Sequence, residues 1–174
     1  MILSIIFLKK ICLYFYQFLT QKNMIIEGKI EVQADINSVF NRLNDVYFFA
    51  SCIEGVSDLV EISPNKYSAT LETKIAYIRI KFQIIVEIQE SILPNKIVAK
   101  SEGTPLGMVG RLISTSTANL SENNGNTQIE YLIDVSLTGK LGSLGQPVIK
   151  SKAKELERQF AKNLNLAFQH KEVN

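Results

Sequence analysis

Tryptophan is absent from this chain, histidine occurs once, at His170, and cysteine only at Cys12 and Cys52. Each scarcity excludes a class of chemistry. A hydrolytic triad needs a nucleophile held by a positioned base, and a single imidazole in the polar terminal stretch His170-Lys-Glu-Val-Asn174 supplies none for Cys52. Cys52 therefore reads as a small buried hydrophobe. Two separated cysteines make neither a disulfide framework nor a Cys-rich metal site. The chain also lacks G-x-G-x-x-G, the P-loop, H-E-x-x-H and C-x-x-C. Gly103-Thr-Pro-Leu-Gly107 reads as a loop without the strand, turn and helix that a phosphate cradle needs. No catalytic residue, metal site or cofactor is expected.

Charge of one sign is scarce as well. Nineteen Lys and Arg stand against seventeen Asp and Glu, net +2, but residues 1–23 hold Lys9, Lys10 and Lys22 and no acid. Residues 24–174 are thus net −1, divided into an acidic stretch (24–139, nine basic and fourteen acidic) and a basic one (140–174, seven basic and three acidic). A body of this kind has no footprint for duplex nucleic acid.

A long uncharged apolar run is missing too. Residues 1–19 are apolar apart from Ser4, Lys9, Lys10 and Gln17, and the lysine pair sits at the midpoint. That position argues against a simple membrane span, and the central charge with no A-x-A behind it argues against a secretory signal. Three readings of this basic leader, 1–23, stay open: a start read too early, with Met24 the true first residue; an interfacial or tilted anchor; or a cleaved signal. Residues 24–174 form one domain, of a length that buries enough surface to fold without a staple.

What is present is clear alternation. Ile26, Gly28, Ile30 and Val32 alternate with Glu27, Lys29, Glu31 and Gln33, a half-buried strand. Ala34–Phe49 opens with Asp35 or Asn37 as N-caps and spaces Val39, Phe40, Leu43, Tyr47 and Phe48 helically, for one or two short helices. Five or six strands follow: 58–62, a turn at Pro64-Asn65, 67–75, 79–90, 96–102, 108–120, and 128–137 after the turn Asn123-Asn-Gly-Asn126. The last segment returns to helix, with Val148 or Ile149, Ala153, Leu156, Phe160, Leu164 and Phe168 in one apolar stripe and Pro147 near its start. Lys150, Lys154, Arg158 and Lys162 on its other faces are candidate docking residues for an acidic partner or anionic lipid, against the alternative of a solvated helix surface.

An α+β architecture follows, because hairpin-connected strands form an antiparallel sheet and the single long helix must lay its stripe on one face of it. About seven twisted strands wrap around such a helix, and a cavity often remains between them. Glu27, Glu31, Glu72, Glu87, Glu130 and Asp134 occupy polar strand phases. An inward acid or Tyr67, Tyr77 or Tyr131 could catalyse in such a cavity, though each tyrosine also reads as core filler.

Met24-Ile-Ile-Glu-Gly-Lys29, Leu43-Asn-Asp45, Cys52-Ile-Glu-Gly55 and Gly139-Lys-Leu-Gly-Ser-Leu-Gly145 running into Ala153, Leu156 and Phe160 resemble the CoxG family of carbon monoxide dehydrogenase components. The resemblance covers 24 to about 168. Val46 and Glu54 stand where the family usually has proline, which leaves that loop less rigid, and the hydrophobic C-terminal anchor of some members is not matched. The resemblance implies a START-like, Bet v 1-like helix-grip fold. It also implies a non-catalytic, cytoplasmic accessory of a molybdenum-containing carbon monoxide dehydrogenase, with peripheral membrane contact and a quinone- or lipid-like ligand in the cavity. Candidate lining residues, chosen for phase and size, are Phe82, Ile84, Leu112, Tyr131, Ile133, Leu156 and Phe160. The alternative within the superfamily is a lipid carrier or a polyketide cyclase or dehydrase.

Overall fold

The structure, a computed structural model, describes residues 23–169; the leader through Lys22 and His170 lie outside the described residues. Alternation is obeyed from the start. In β1 (Met24–Val32) Met24, Ile30 and Val32 are buried while Ile25, Glu27, Lys29 and Glu31 face solvent, as the period of two requires. After two helices come β2 (Val56–Ser63), β3 (Lys66–Ile75), β4 (Ile78–Ile92), β5 (Lys96–Pro105), β6 (Gly110–Asn123) and β7 (Asn126–Thr138). They form one seven-stranded sheet in the order β1-β7-β6-β5-β4-β3-β2, with every neighbouring pair antiparallel. The hairpin between β6 and β7 is the two-residue turn of Asn124 (φ 52°) and Gly125 (φ 83°), closing the pair Asn123–Asn126. Positive φ at both positions matches the turn twist to the strand twist. An extra residue, Gln89, interrupts the β4–β5 register between Ile88 and Glu90, and such a bulge bends its strand.

Two aspartates punctuate the first helices. Asp35 caps α1 (Ile36–Asn44) by accepting from the Ser38 amide at 2.9 Å. Asp45 ends α1 and caps α2 (Val46–Ser51), accepting from the Tyr47 and Phe48 amides at 3.0 and 3.1 Å. Each carboxylate satisfies amides that have no partner within the helix.

Two stretches depart from the sequence reading. Gly103–Pro105 belongs to β5 rather than to a loop, so the connection to β6 is only Leu106–Val109. The second departure is a short helix, α3 (Gly139–Gly142), just before α4 (Gln146–Gln169). Gly139 bridges Gly110 with φ +62°, and a Cβ there would lie 2.8 Å from the Gly110 Cα. Only glycine fits so close a crossing. The crossing drives Leu141, 1 % exposed, into the core beside Ile75, Ile80 and Phe82.

That plug is one of two core clusters. The other gathers Val32, Val39, Phe40, Leu120, Ile129 and Leu164 under α1. α4 touches both, with Val148 and Ile149 on the Leu141 side and Phe160, Leu164 and Phe168 on the far side. The expected helix-grip fold is therefore what forms, a curved antiparallel sheet closed by one long helix with two short helices after the first strand. Leu164 is fully buried, so Leu164→Ala should lower unfolding free energy by about 2–5 kcal/mol, the usual range for a buried leucine truncation. Urea denaturation followed by circular dichroism measures it.

Candidate functional site

Between the two clusters α4 stands clear of the sheet, and a cavity of about 370 Å³ remains. Its floor is the concave face of the sheet: Ile26 and Ile30 of β1, Leu71 of β3, Ile97 of β5, Ala118 of β6, and Ile129, Tyr131 and Ile133 of β7. Leu43, Phe49 and the Cys52–Glu54 loop wall one side, and Ala153, Leu156, Glu157, Gln159 and Phe160 of α4 form the roof. Small residues at Ala118 and Ala153 help to keep the space open. Phe49, 40 % exposed, meets the Phe160 ring at 4.9 Å between centroids, which puts the mouth between α2 and α4.

The loop at the mouth is tied on both sides. Asn163 Nδ2 donates to the Cys52 carbonyl at 3.0 Å, and Gln159 Nε2 to Glu54 Oε2 at 3.5 Å. On the sheet side the Glu72 amide donates to the Gly55 carbonyl at 2.8 Å. Gly55 has φ +85°, and a Cβ there would run into the Glu72 carbonyl group. Glycine alone lets the loop lie this close to β3.

Tyr131 is the polar feature of an otherwise apolar floor. It stands opposite Gly28 in the β1–β7 register, and a Cβ at Gly28 would sit 2.7 Å from its Cζ. The missing side chain thus makes the berth for the ring. The Glu157 carboxylate lies beside the hydroxyl; burial first, and this carboxylate second, push the phenol well above the ordinary tyrosine range. The hydroxyl therefore remains a donor at all physiological pH. Cys52 also lines the cavity, and burial raises its thiol pKa against opposing pulls from a Ser51 hydrogen bond and from Arg42. A buried thiol that holds its proton is a poor nucleophile. Among the described residues no three His, Cys, Asp or Glu side chains gather as a metal site.

Of the residues singled out from the sequence, Tyr131, Ile133, Leu156 and Phe160 come together on the cavity wall. Phe82 and Ile84 pack instead in the Leu141 cluster, and Leu112 pairs with Gly103 on its flank. The plug made by α3 fills that end of the concavity. Tyr67 lies outside the lining, edge-on to Tyr47 at 6.3 Å. Tyr77, 87 % exposed on a hairpin tip, is neither core nor cavity. Lys150, Lys154, Arg158 and Lys162 lie along α4, and all four are exposed. Sequence reasoning misses Glu54, Glu157 and Gln159. Glu157 has a signal: it falls four residues after Ala153 and three before Phe160, a carboxylate in the apolar seam of the helix.

The sequence matches the family model of the carbon monoxide dehydrogenase component CoxG over residues 28–169. The chain belongs to the CoxG family. No curated protein sequence matches it. Among solved structures, a conserved protein from Geobacillus kaustophilus superposes with a TM-score of 0.78 at 25% identity, covering 84% of this chain and 96% of its own. A START superfamily protein from Mycobacterium smegmatis gives 0.62 at 13% identity over 84% of this chain and 97% of its own. The Zhui aromatase/cyclase from a Streptomyces species gives 0.60 at 12% identity over 82% and 92%. The last two likenesses are likenesses of fold. They show that this CoxG chain shares the START-like fold.

The raised Tyr131 pKa has a measurable sign. Folded above unfolded means that stability is complete below about pH 10, where free tyrosine ionises, and falls as pH rises beyond it. In an ultraviolet titration of the folded protein, Tyr131→Phe should remove no absorbance change near pH 10. Loss of a full phenolate step there would contradict the burial of this hydroxyl.

Proposed function

We propose that this CoxG chain is a non-catalytic accessory protein that carries an apolar, quinone- or lipid-like molecule in the cavity beneath α4. It does so in the service of a molybdenum-containing carbon monoxide dehydrogenase on the cytoplasmic side of the membrane. The observation that carries the reading is the cavity itself, about 370 Å³ of apolar wall with one fixed polar pair, Tyr131 and Glu157. Small-molecule sites have this composition: apolar surface supplies affinity, at about 25 cal/mol per Å² buried, and a few polar groups fix orientation. With its proton donated to Glu157, the Tyr131 oxygen would accept from a hydroxyl at one end of the ligand, and a tail would leave past Phe49. Family membership supports the choice of partner enzyme, and the row Lys150, Lys154, Arg158 and Lys162 would offer it a cationic face. No helix among the described residues is long and apolar enough to cross a membrane.

A cyclase or dehydrase is the second reading, favoured by the same pair, since a hydroxyl beside a carboxylate in an apolar pocket can act as a proton-transfer couple. A phenol whose pKa is raised this far is a weak acid, and its conjugate base is scarce near neutrality.

Organic extraction of the purified chain followed by mass spectrometry should recover a quinone or lipid, and adding one to stripped protein should raise its melting temperature. Ala153→Phe, which fills the roof of the cavity, should abolish that shift while far-ultraviolet circular dichroism stays unchanged. An empty extract together with no shift on any apolar ligand would sink the reading. Tyr131→Phe separates the two functions: a carrier keeps binding, weakened about five- to tenfold by the lost hydrogen bond, whereas a cyclase loses turnover altogether.

A further inference from the structure

The polar groups of the cavity are unbalanced in charge. Its wall includes two carboxylates, Glu54 and Glu157, and among the described residues that line it there is no Lys, Arg or His. Two cations of the flanking helices are engaged elsewhere: Lys152 pairs with Glu155 at 2.8 Å, and Arg42 lies over the Phe48 ring at 4.7 Å. The exposed row Lys150, Lys154, Arg158 and Lys162 is not part of the lining either.

They are unbalanced in hydrogen bonding as well. The Tyr131 hydroxyl gives its proton to the Glu157 carboxylate, and Gln159 Nε2 reaches out to Glu54 at the mouth, at 3.5 Å. In the loop between them the Cys52 and Ile53 amides turn back to the Phe49 and Ala50 carbonyls at 3.1 and 3.0 Å. The Cys52 thiol is a weak donor. Acceptors, by contrast, are in surplus, since a carboxylate offers about four lone-pair positions and a phenol oxygen keeps its own after donating. Glu157 is half-buried in the roof and faces the floor at Tyr131, whereas Glu54 is exposed at the rim. The deeper acceptor is therefore Glu157.

We propose that the cavity selects its occupant by head group, taking an uncharged head that donates a hydrogen bond, a phenol or other hydroxyl, over a carbonyl or ether and over any carboxylate or phosphate, with Glu157 as the selecting residue. The proposal rests on the carrier reading and names the class of ligand that the same site prefers. A hydroxyl head satisfies Glu157 or the Tyr131 oxygen directly. A carbonyl or ether brings a further acceptor to a place already rich in them and leaves its own oxygen desolvated without a partner. An anionic head fares worst, because it meets like charge in an apolar pocket with no cation on the wall. Of a molecule's carbonyl and hydroxyl forms, the same surplus favours the hydroxyl form.

Three probes with one ring and one tail isolate the head: para-hexylphenol, its methyl ether, and para-hexylbenzoate. Titrated calorimetrically at neutral pH into the stripped full chain, the phenol should bind, the ether about tenfold more weakly, and the benzoate more weakly again. Ala153→Phe should abolish binding of all three, which locates it in the cavity. Glu157→Gln puts an amide that can donate where only acceptors stood. It should shrink the advantage of phenol over ether to about threefold or less and let the benzoate bind, a change of ranking that a merely structural role would not produce. Equal affinity for the three heads, or a preference for the benzoate, overturns the selection and leaves the carrier reading standing. So does an unchanged ranking in folded Glu157→Gln. If that variant does not fold, the ranking in the unaltered chain decides alone. Binding of none of the three overturns the carrier reading along with the selection.

Discussion

One helix has to cover the whole concave face of a seven-stranded sheet, and everything of functional interest follows from how it manages this. A 24-residue helix spans about 36 Å, and side chains from a single stripe cannot fill a curved trough of that length to uniform depth. α4 solves the problem at its ends. Val148 and Ile149 rest on the Leu141 plug, and Leu164 and Phe168 rest on the cluster under α1. These two contacts fix the height of the helix above the sheet. In the middle, where Ala118 and Ala153 are small, the same height leaves a void. The cavity is thus a consequence of end-packing, held open by the parts of the core that are well filled.

Such a void would be a liability if it served nothing, because unfilled apolar volume costs stability in proportion to its size. Burying Tyr131 beside Glu157 adds a further cost, since polar groups removed from water must recover their hydrogen bonds. A ligand that occupies the space offsets both. This is the physical reason for proposing a binding role. The aromatase/cyclase with the same fold at 12% identity shows that the scaffold tolerates catalysis, which resides in a site rather than in a fold.

Much of this is legible in the residues, for reasons of period. Alternation in β1, β4 and β7 and the stripe of α4 each repeat often enough to be unambiguous, and turn chemistry at Pro64-Asn65 and Asn123–Asn126 marks hairpin ends. The lining is legible only in part. Phase tells which side chains of β4 and β6 point inward, but phase says nothing about position along the trough. Phe82, Ile84 and Leu112 point inward and still miss the cavity, because α3 fills their end. Four residues of Gly-Lys-Leu-Gly are too few to show a helical period. Glu157 escapes notice for the opposite reason, an apolar stripe regular enough to hide its one exception.

The loop at the mouth shows how the chain compensates for what it lacks. CoxG sequences usually carry proline where this one has Val46 and Glu54, and proline would restrict the loop even in the unfolded chain. Here side-chain bonds take over: Asp45 caps α2, Asn163 holds the Cys52 carbonyl, and Gln159 reaches Glu54 across the opening. Constraint built from hydrogen bonds acts only in the folded state and is released one bond at a time. The Gln159–Glu54 contact, at 3.5 Å and exposed to water, is the weakest of the set. It spans the mouth between loop and roof. In this chain, then, the restraint on the mouth loop lies in side-chain hydrogen bonds rather than in a proline ring, and its weakest member bridges loop and roof.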